Sequence, residues 1–112
     1  MFFERIFKRE GKIKKSELMN LDLTIIKWLV PRLEAFRAQT QGYPGDISEE
    51  EWDAVLGRII DGLGAYVQER KWDNKLSKEE NLTLDKSFYA AKEAEFKEAM
   101  GLLAKHFRSL WW

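Results

Sequence analysis

Four charged side chains fall where helical spacing places apolar neighbours, and two aromatic ones stand near enough in type to complete an anion or ring site with them. Projected at about 100° per residue, Arg32 lies between Trp28 and Phe36 near the middle of an apolar face. Lys92 and Glu93 fall inside the arc marked by Tyr89 and Phe96, and His106 sits at its edge beside Phe107. Tyr43 is held between Gly42 and Pro44, two residues that favour a turn. Burying a charge is costly unless it is paired, so these groups predict one of two arrangements. In the first, Arg32 pairs with Glu93, or the long arms reach to the rim of the core. In the second they line a solvated cleft, where Arg32 and Lys92 grip a phosphate or carboxylate while Trp28 or Tyr43 stacks on a flat ring. Tyr43 has the same two readings: a ring folded over the helix ends, or one offered to a ligand.

Other chemistries lack their parts. His106 is the single histidine, with Lys105 and Arg108 beside it in the last turns of a helix, so a capping or surface role is expected rather than a general base. A lone histidine among scattered carboxylates has no metal-ligand spacing. The acidic group Asp46, Glu49, Glu50, Glu51 and Asp53 lacks the alternating calcium-loop pattern, and helix capping accounts for it. Gly57, Gly62 and Gly64 lie inside a helical pattern, where they predict close approach of a neighbour rather than a phosphate loop. No nucleophile is joined to a base and an orienting group, so the chain reads as a non-enzyme with no cofactor.

The element that must position these residues is Ile47 to Val67. Ser48 suits the N-cap and Glu51 stands three residues on, with Ile47 and Trp52 placed to close a hydrophobic staple. Trp52, Val55, Leu56, Ile59, Ile60, Leu63, Tyr66 and Val67 follow at helical spacing and form one broad apolar face. Before it, from Asn20 or Asp22 to a stop at Gly42, a helix carries Ile25, Ile26, Leu29, Leu33 and Phe36 as its core stripe, with Pro31 predicting a kink. Between the two, Gly42 suits a left-handed helix end and Pro44-Gly45 a type II turn, short enough to make the helices antiparallel neighbours. After Val67, QERKWDNKLSKEENLTLDKS is polar without an apolar stripe and reads as a loop, with one helical turn after Ser77. A last helix beginning between Ser77 and Asp85 runs to the C-terminus. Its stripe is Tyr89, Phe96, Ala99, Met100, Leu103, Phe107 and Leu110, with Phe88, Trp111 and Trp112 at the margins.

The whole is an all-α chain: a small antiparallel bundle of three long helices plus a short N-terminal amphipathic segment. Residues 1–19 form a basic amphipathic arm, with Phe3, Ile6 and Phe7 on one side, and residues 20–112 a single helical domain. The arm reads either as a segment folded back on its own domain or as a contact for anionic lipid or an acidic protein. With 19 basic and 19 acidic residues, no global field attracts long nucleic acid. There is no cysteine, which removes disulfides and thiolate chemistry, and no apolar run reaches the length of a transmembrane segment. The opening MFFERIFKREGKIKK is not expected to be a secretion signal, because charges interrupt its apolar residues.

The blocks NLDLTIIKWLVPRLEAFR, GYPGDISEEEWDAVLGRIIDGL and LLAKHFRSLWW together resemble a family of small uncharacterised proteins encoded in bacteriophage and prophage genomes. Those proteins share a helix ending in PRL-x-x-F, a GYP turn before an EEEWD helix start, and an aromatic C-terminus similar to KHFRSLWW. The resemblance covers most of residues 20–112 and leaves the arm outside. It implies a phage origin and a host-cytoplasm setting, and brings no activity with it. The function expected is therefore a phage accessory binding protein that serves host takeover or counter-defence by binding a host protein. A sponge for a nucleotide immune signal, with its cleft of Arg32, Lys92 and Tyr43 completed by a second subunit in a homo-oligomer, is the alternative. A structural or packaging component is a third.

Overall fold

The structure, a computed structural model, describes residues 13–78 and 86–111, without the side chains of 72–78 and 86–87. Phe3, Ile6, Phe7 and Trp112 lie outside the described residues. Among the described residues four helices follow one another: α1, Lys15–Met19; α2, Leu21–Gln39; α3, Glu49–Lys78; and α4, Lys86–His106, which passes into a 3₁₀ turn at Phe107–Ser109. There is no strand among the described residues, so the fold is all-α.

α3 begins where its capping signals stand. The Ser48 hydroxyl accepts the Glu51 amide at 3.1 Å, and Glu49, Glu50 and Glu51 put negative charge on the first turn, where the dipole favours it. Trp52, Val55, Leu56, Ile59 and Leu63 are buried, with Ile47, Ile60, Tyr66 and Val67 packed around them. Side chains such as Leu56, Ile59 and Leu63 each stabilise the fold by about 1.5–3 kcal/mol on burial.

The predicted loop after Val67 is helix as far as Lys78. Gln68, Glu69, Arg70 and Lys71 all favour helix, and neither glycine nor proline interrupts the stretch. Lack of an apolar stripe reported a segment without a core to cover, not a break in the backbone. α2 runs as one helix through Pro31, as the continuous periodicity predicts. It ends on Thr40, whose amide bonds the Phe36 carbonyl, and not on a left-handed Gly42. No described glycine has a positive φ, so Pro44-Gly45 is not the centre of a type II turn. The chain reverses one residue later, with the Ile47 amide bonded to the Pro44 carbonyl at 3.3 Å.

Cross-helix pairs give the layout. From α2 to α3, Arg37 meets Asp53 while Asp22 meets Arg70; from α3 to α4, Trp52 meets His106, Arg58 meets Glu98 and Tyr66 meets Phe96. Numbers rise along one helix as they fall along its neighbour, so both pairs run antiparallel. α3 lies in the middle; no Cα atom of α2 comes within 8 Å of one of α4. Close packing of α3 on α4 depends on Gly62, where an added Cβ would overlap both the Ala99 methyl and the Glu95 carbonyl oxygen. Gly64 has open space instead, so the expectation of close approach holds for Gly62 and fails for Gly64.

Two helix faces differ from their sequence reading. Ile25 on α2, and Met100 with Phe107 near the end of α4, are exposed rather than buried. They belong to apolar arcs wider than the strip α3 can cover, because the chain paths of the two outer helices stay too far apart to cover each other's free faces.

Candidate functional site

Among the described residues, the structure distributes the candidate residues over four places. Arg32 lays its guanidinium over the Trp28 ring, 4.1 Å from its centre, and donates to the Trp28 carbonyl at 2.8 Å. Pro31 has no amide to give the Lys27 carbonyl, so the helix is already one bond short where the next carbonyl takes up Arg32. Lys92 stands over the Phe88 ring at 5.6 Å, one turn away on α4. Glu93 pairs with Lys97 at 3.1 Å. The expected Arg32 to Glu93 ion pair is not formed: each finds a partner on its own helix. None of the five main clefts is lined by two of Arg32, Lys92 and Tyr43.

His106 corrects its reading. It is only 8% exposed, and its ring meets the edge of Trp52 at 5.5 Å between centres, inclined at 66°. The antiparallel run of α4 against α3 brings its last residue onto the first buried residue of α3, so the histidine closes the core instead of capping at the surface.

Tyr43 is half exposed. With Gly42, Pro44, Gly45, Ser109 and Trp111 it lines a cleft of about 260 Å³ where the turn meets the C-terminal segment. Trp111 is exposed, and so is Phe107 two residues before Ser109. Two flat rings on a proline-bearing turn and a 3₁₀ end can take apolar and aromatic groups between them, with the tyrosine hydroxyl and nearby backbone for polar contacts.

Two polar clusters were not anticipated. Arg37 grips Asp53 with two parallel bonds of 3.0 Å, tying the end of α2 to the first turns of α3. At the opposite end, Tyr66 and Arg70 both donate to Asp22. The spacing of Tyr66 and Arg70 puts them on one face of α3, a signal present in the sequence; their acceptor on another helix left none. The Tyr66 hydrogen bond, with lesser help from Arg70, holds the Asp22 carboxyl below the usual carboxylate range, and burial opposes them. The same bond, with burial, raises the Tyr66 hydroxyl.

The signs give a test at both ends of the pH scale. A carboxyl lowered by folding stabilises the native state above its unfolded value, about 3.9, and loses that contribution as pH falls through the folded value. A hydroxyl raised by folding stabilises below its unfolded value, about 10, and loses it as pH rises through the folded one. Asp22→Asn should therefore flatten the fall of Tm on acidification from neutral pH, and return the Tyr66 titration, followed by ultraviolet absorbance, toward its ordinary position. An acid limb as steep as wild type would show that Asp22 is not linked to folding.

No group of three or more metal-ligating side chains occurs among the described residues, and none of their helices is long and apolar enough to cross a membrane. Fold and surface together define an all-helical protein with an aromatic cleft at one end. No protein family, curated protein or solved structure matches this chain.

Proposed function

We propose that this chain is a non-catalytic binding protein that captures another protein on the aromatic end of its bundle. The observation that supports this is the convergence of exposed Tyr43 and Trp111 on one cleft, from a turn and a chain end that the core holds in place. Tryptophan and tyrosine are the residues whose truncation most often removes binding energy, and a bound partner would cover apolar rings that now face water. The phage-like blocks in the sequence add the setting: a phage accessory protein in the host cytoplasm, serving host takeover or counter-defence by engaging a host protein. That part of the proposal rests on the resemblance alone. The nucleotide sponge gains no support from the positions of Arg32, Lys92 and Tyr43, which stand on α2, on α4 and in the turn.

The immobilised full chain, incubated with lysate of a bacterial host, should retain a specific protein. Tyr43→Ala with Trp111→Ala should weaken that capture roughly thirtyfold or more, since one anchoring aromatic alone is commonly worth about 2 kcal/mol. The melting temperature should stay near wild type, because both rings are exposed. Failure to retain any protein, or retention that ignores the double substitution, would remove this reading.

A further inference from the structure

The cleft at the aromatic end holds hydrogen-bond donors that no described residue uses. Its walls are Gly42, Tyr43, Pro44 and Gly45 from the turn, with Ser109 and Trp111 from the C-terminal segment. The Tyr43 hydroxyl, the Ser109 hydroxyl and the Trp111 indole N–H make no hydrogen bond among the described residues. The indole nitrogen can only donate, and each hydroxyl has a proton to give. None of the six wall residues carries a charge. Gly42 and Gly45 add a second feature: neither has a positive φ, and a Cβ added to either would stand in open space. Neither turn geometry nor packing requires glycine at these positions. Their effect is to leave part of the wall as bare backbone, which a ligand can approach closely.

We propose that this cleft receives a proline-rich segment of the captured protein, held as a polyproline II helix with a proline ring between Tyr43 and Trp111. The inference rests on the capture proposed above and names the kind of segment captured. Polyproline II has no internal hydrogen bonds, and proline has no N–H. Such a segment therefore presents carbonyl oxygens as its only backbone hydrogen-bonding groups. That is the complement of a cleft whose side chains hold unspent donors. Its pyrrolidine rings are apolar and uncharged, and they lie against aromatic rings with no ion to desolvate.

The other ways of binding a chain segment lack their parts here. Adding a strand needs a sheet edge, and no strand occurs among the described residues. Gripping a phosphorylated or acidic segment, or the phosphates of a nucleotide, needs cations, and no charged side chain lines the cleft. Receiving an amphipathic helix needs anchor sites over two turns or more, a longer groove than about 260 Å³ provides. Size favours proline as well. A cleft this small covers little of its ligand, so it holds only a segment that loses little freedom on binding. An ordinary flexible peptide must be ordered residue by residue, whereas a proline-rich one is largely extended before it arrives.

Titrating the isotope-labelled full chain with a capped, uncharged peptide of roughly eight prolines tests this by nuclear magnetic resonance. Amides of residues 42–45 and 109–111, together with the Trp111 indole N–H, should shift with a dissociation constant below about 1 mM. A capped glycine-serine peptide of the same length, uncharged but flexible, should bind at least roughly tenfold more weakly. Tyr43→Ala and Trp111→Ala should each weaken binding of the proline peptide roughly tenfold or more, with circular dichroism unchanged because both rings are exposed. Trp111→Phe keeps a ring and loses the donor, and should fall between. Absence of shifts with the proline peptide overturns the inference, as does binding that ignores both truncations or that the glycine-serine peptide matches. A nucleoside that shifts the same signals at lower concentration overturns it too. The capture reading is judged apart. A host protein retained through Tyr43 and Trp111 but not released by excess proline peptide leaves that reading standing and ends this one. A lysate that yields no protein while the peptide binds as expected removes the host-protein reading and leaves the proline-binding cleft.

Discussion

Trp52→Ala should destabilise the fold by about 3–5 kcal/mol, the range for removing a large aromatic side chain from a core. Against the roughly 5–15 kcal/mol by which domains of ordinary stability are held, such a loss brings the chain close to unfolding. Trp52 is 2% exposed and touches every part of its end of the bundle. Its ring carries the edge contact with His106 and joins the cluster containing Leu33 of α2, Leu56 of α3 and Ala99 of α4. Trp52→Phe should cost much less. Trp52 Nε1 is buried with no acceptor, so phenylalanine sheds a polar group that contributes nothing favourable while keeping most of the apolar volume. Chemical denaturation of the two variants checks this ordering. Equal losses would mean that the ring's volume is not what the core requires.

Gly62→Ala is expected to lower stability by about 1–3 kcal/mol even though alanine is the better helix former by about 1 kcal/mol. The added methyl would overlap the Ala99 methyl and the Glu95 carbonyl oxygen, and the latter belongs to a helix backbone that cannot turn aside. α3 and α4 must move apart to admit it, loosening the contacts that follow along both helices. Gly64→Ala is the matched control, two residues on in the same helix, where nothing lies within 4 Å of the added methyl. There the helix preference acts alone, and stability should rise by up to about 1 kcal/mol. Thermal melts of opposite sign for two identical substitutions would isolate close approach as the cause. A rise at both positions would show that the interface yields without penalty.

What could be read from residues alone was chiefly the central helix. Ser48, the three glutamates and the apolar positions from Trp52 to Leu63 state one message several times over, and the structure agrees with each. Its length past Val67 was hidden, because a polar, strongly helix-forming stretch without a core to cover looks like a loop when apolar periodicity is the guide. Periodicity was also silent on what covers an apolar arc. Ile25, Met100 and Phe107 fit their stripes as well as Ile26, Ala99 and Leu103 do, and differ only in whether α3 reaches them. The misfit charges fell on other faces than expected, Arg32 and Glu93 exposed and His106 buried, and found other partners. Arg32 and Glu93 each had an eligible group one turn away on their own helix, Trp28 and Lys97, and a local contact orders fewer groups than one across the bundle. His106 was misjudged because its environment is set by Trp52, more than fifty positions earlier, and only the antiparallel return of α4 joins them.

Because the chain paths of α2 and α4 keep apart and meet only through side chains gathered on α3, the molecule has a single spine with two sides joined through it. The flanks still share partners on the spine, with Trp52 in one cluster with Leu33 and Ala99 and Tyr66 standing between Asp22 and Phe96, so defects on opposite sides should couple rather than simply add. Damage to the spine is shared by both. Amides around Ile59 and Leu63 should accordingly be the last in the chain to exchange with solvent, released only when the entire structure opens.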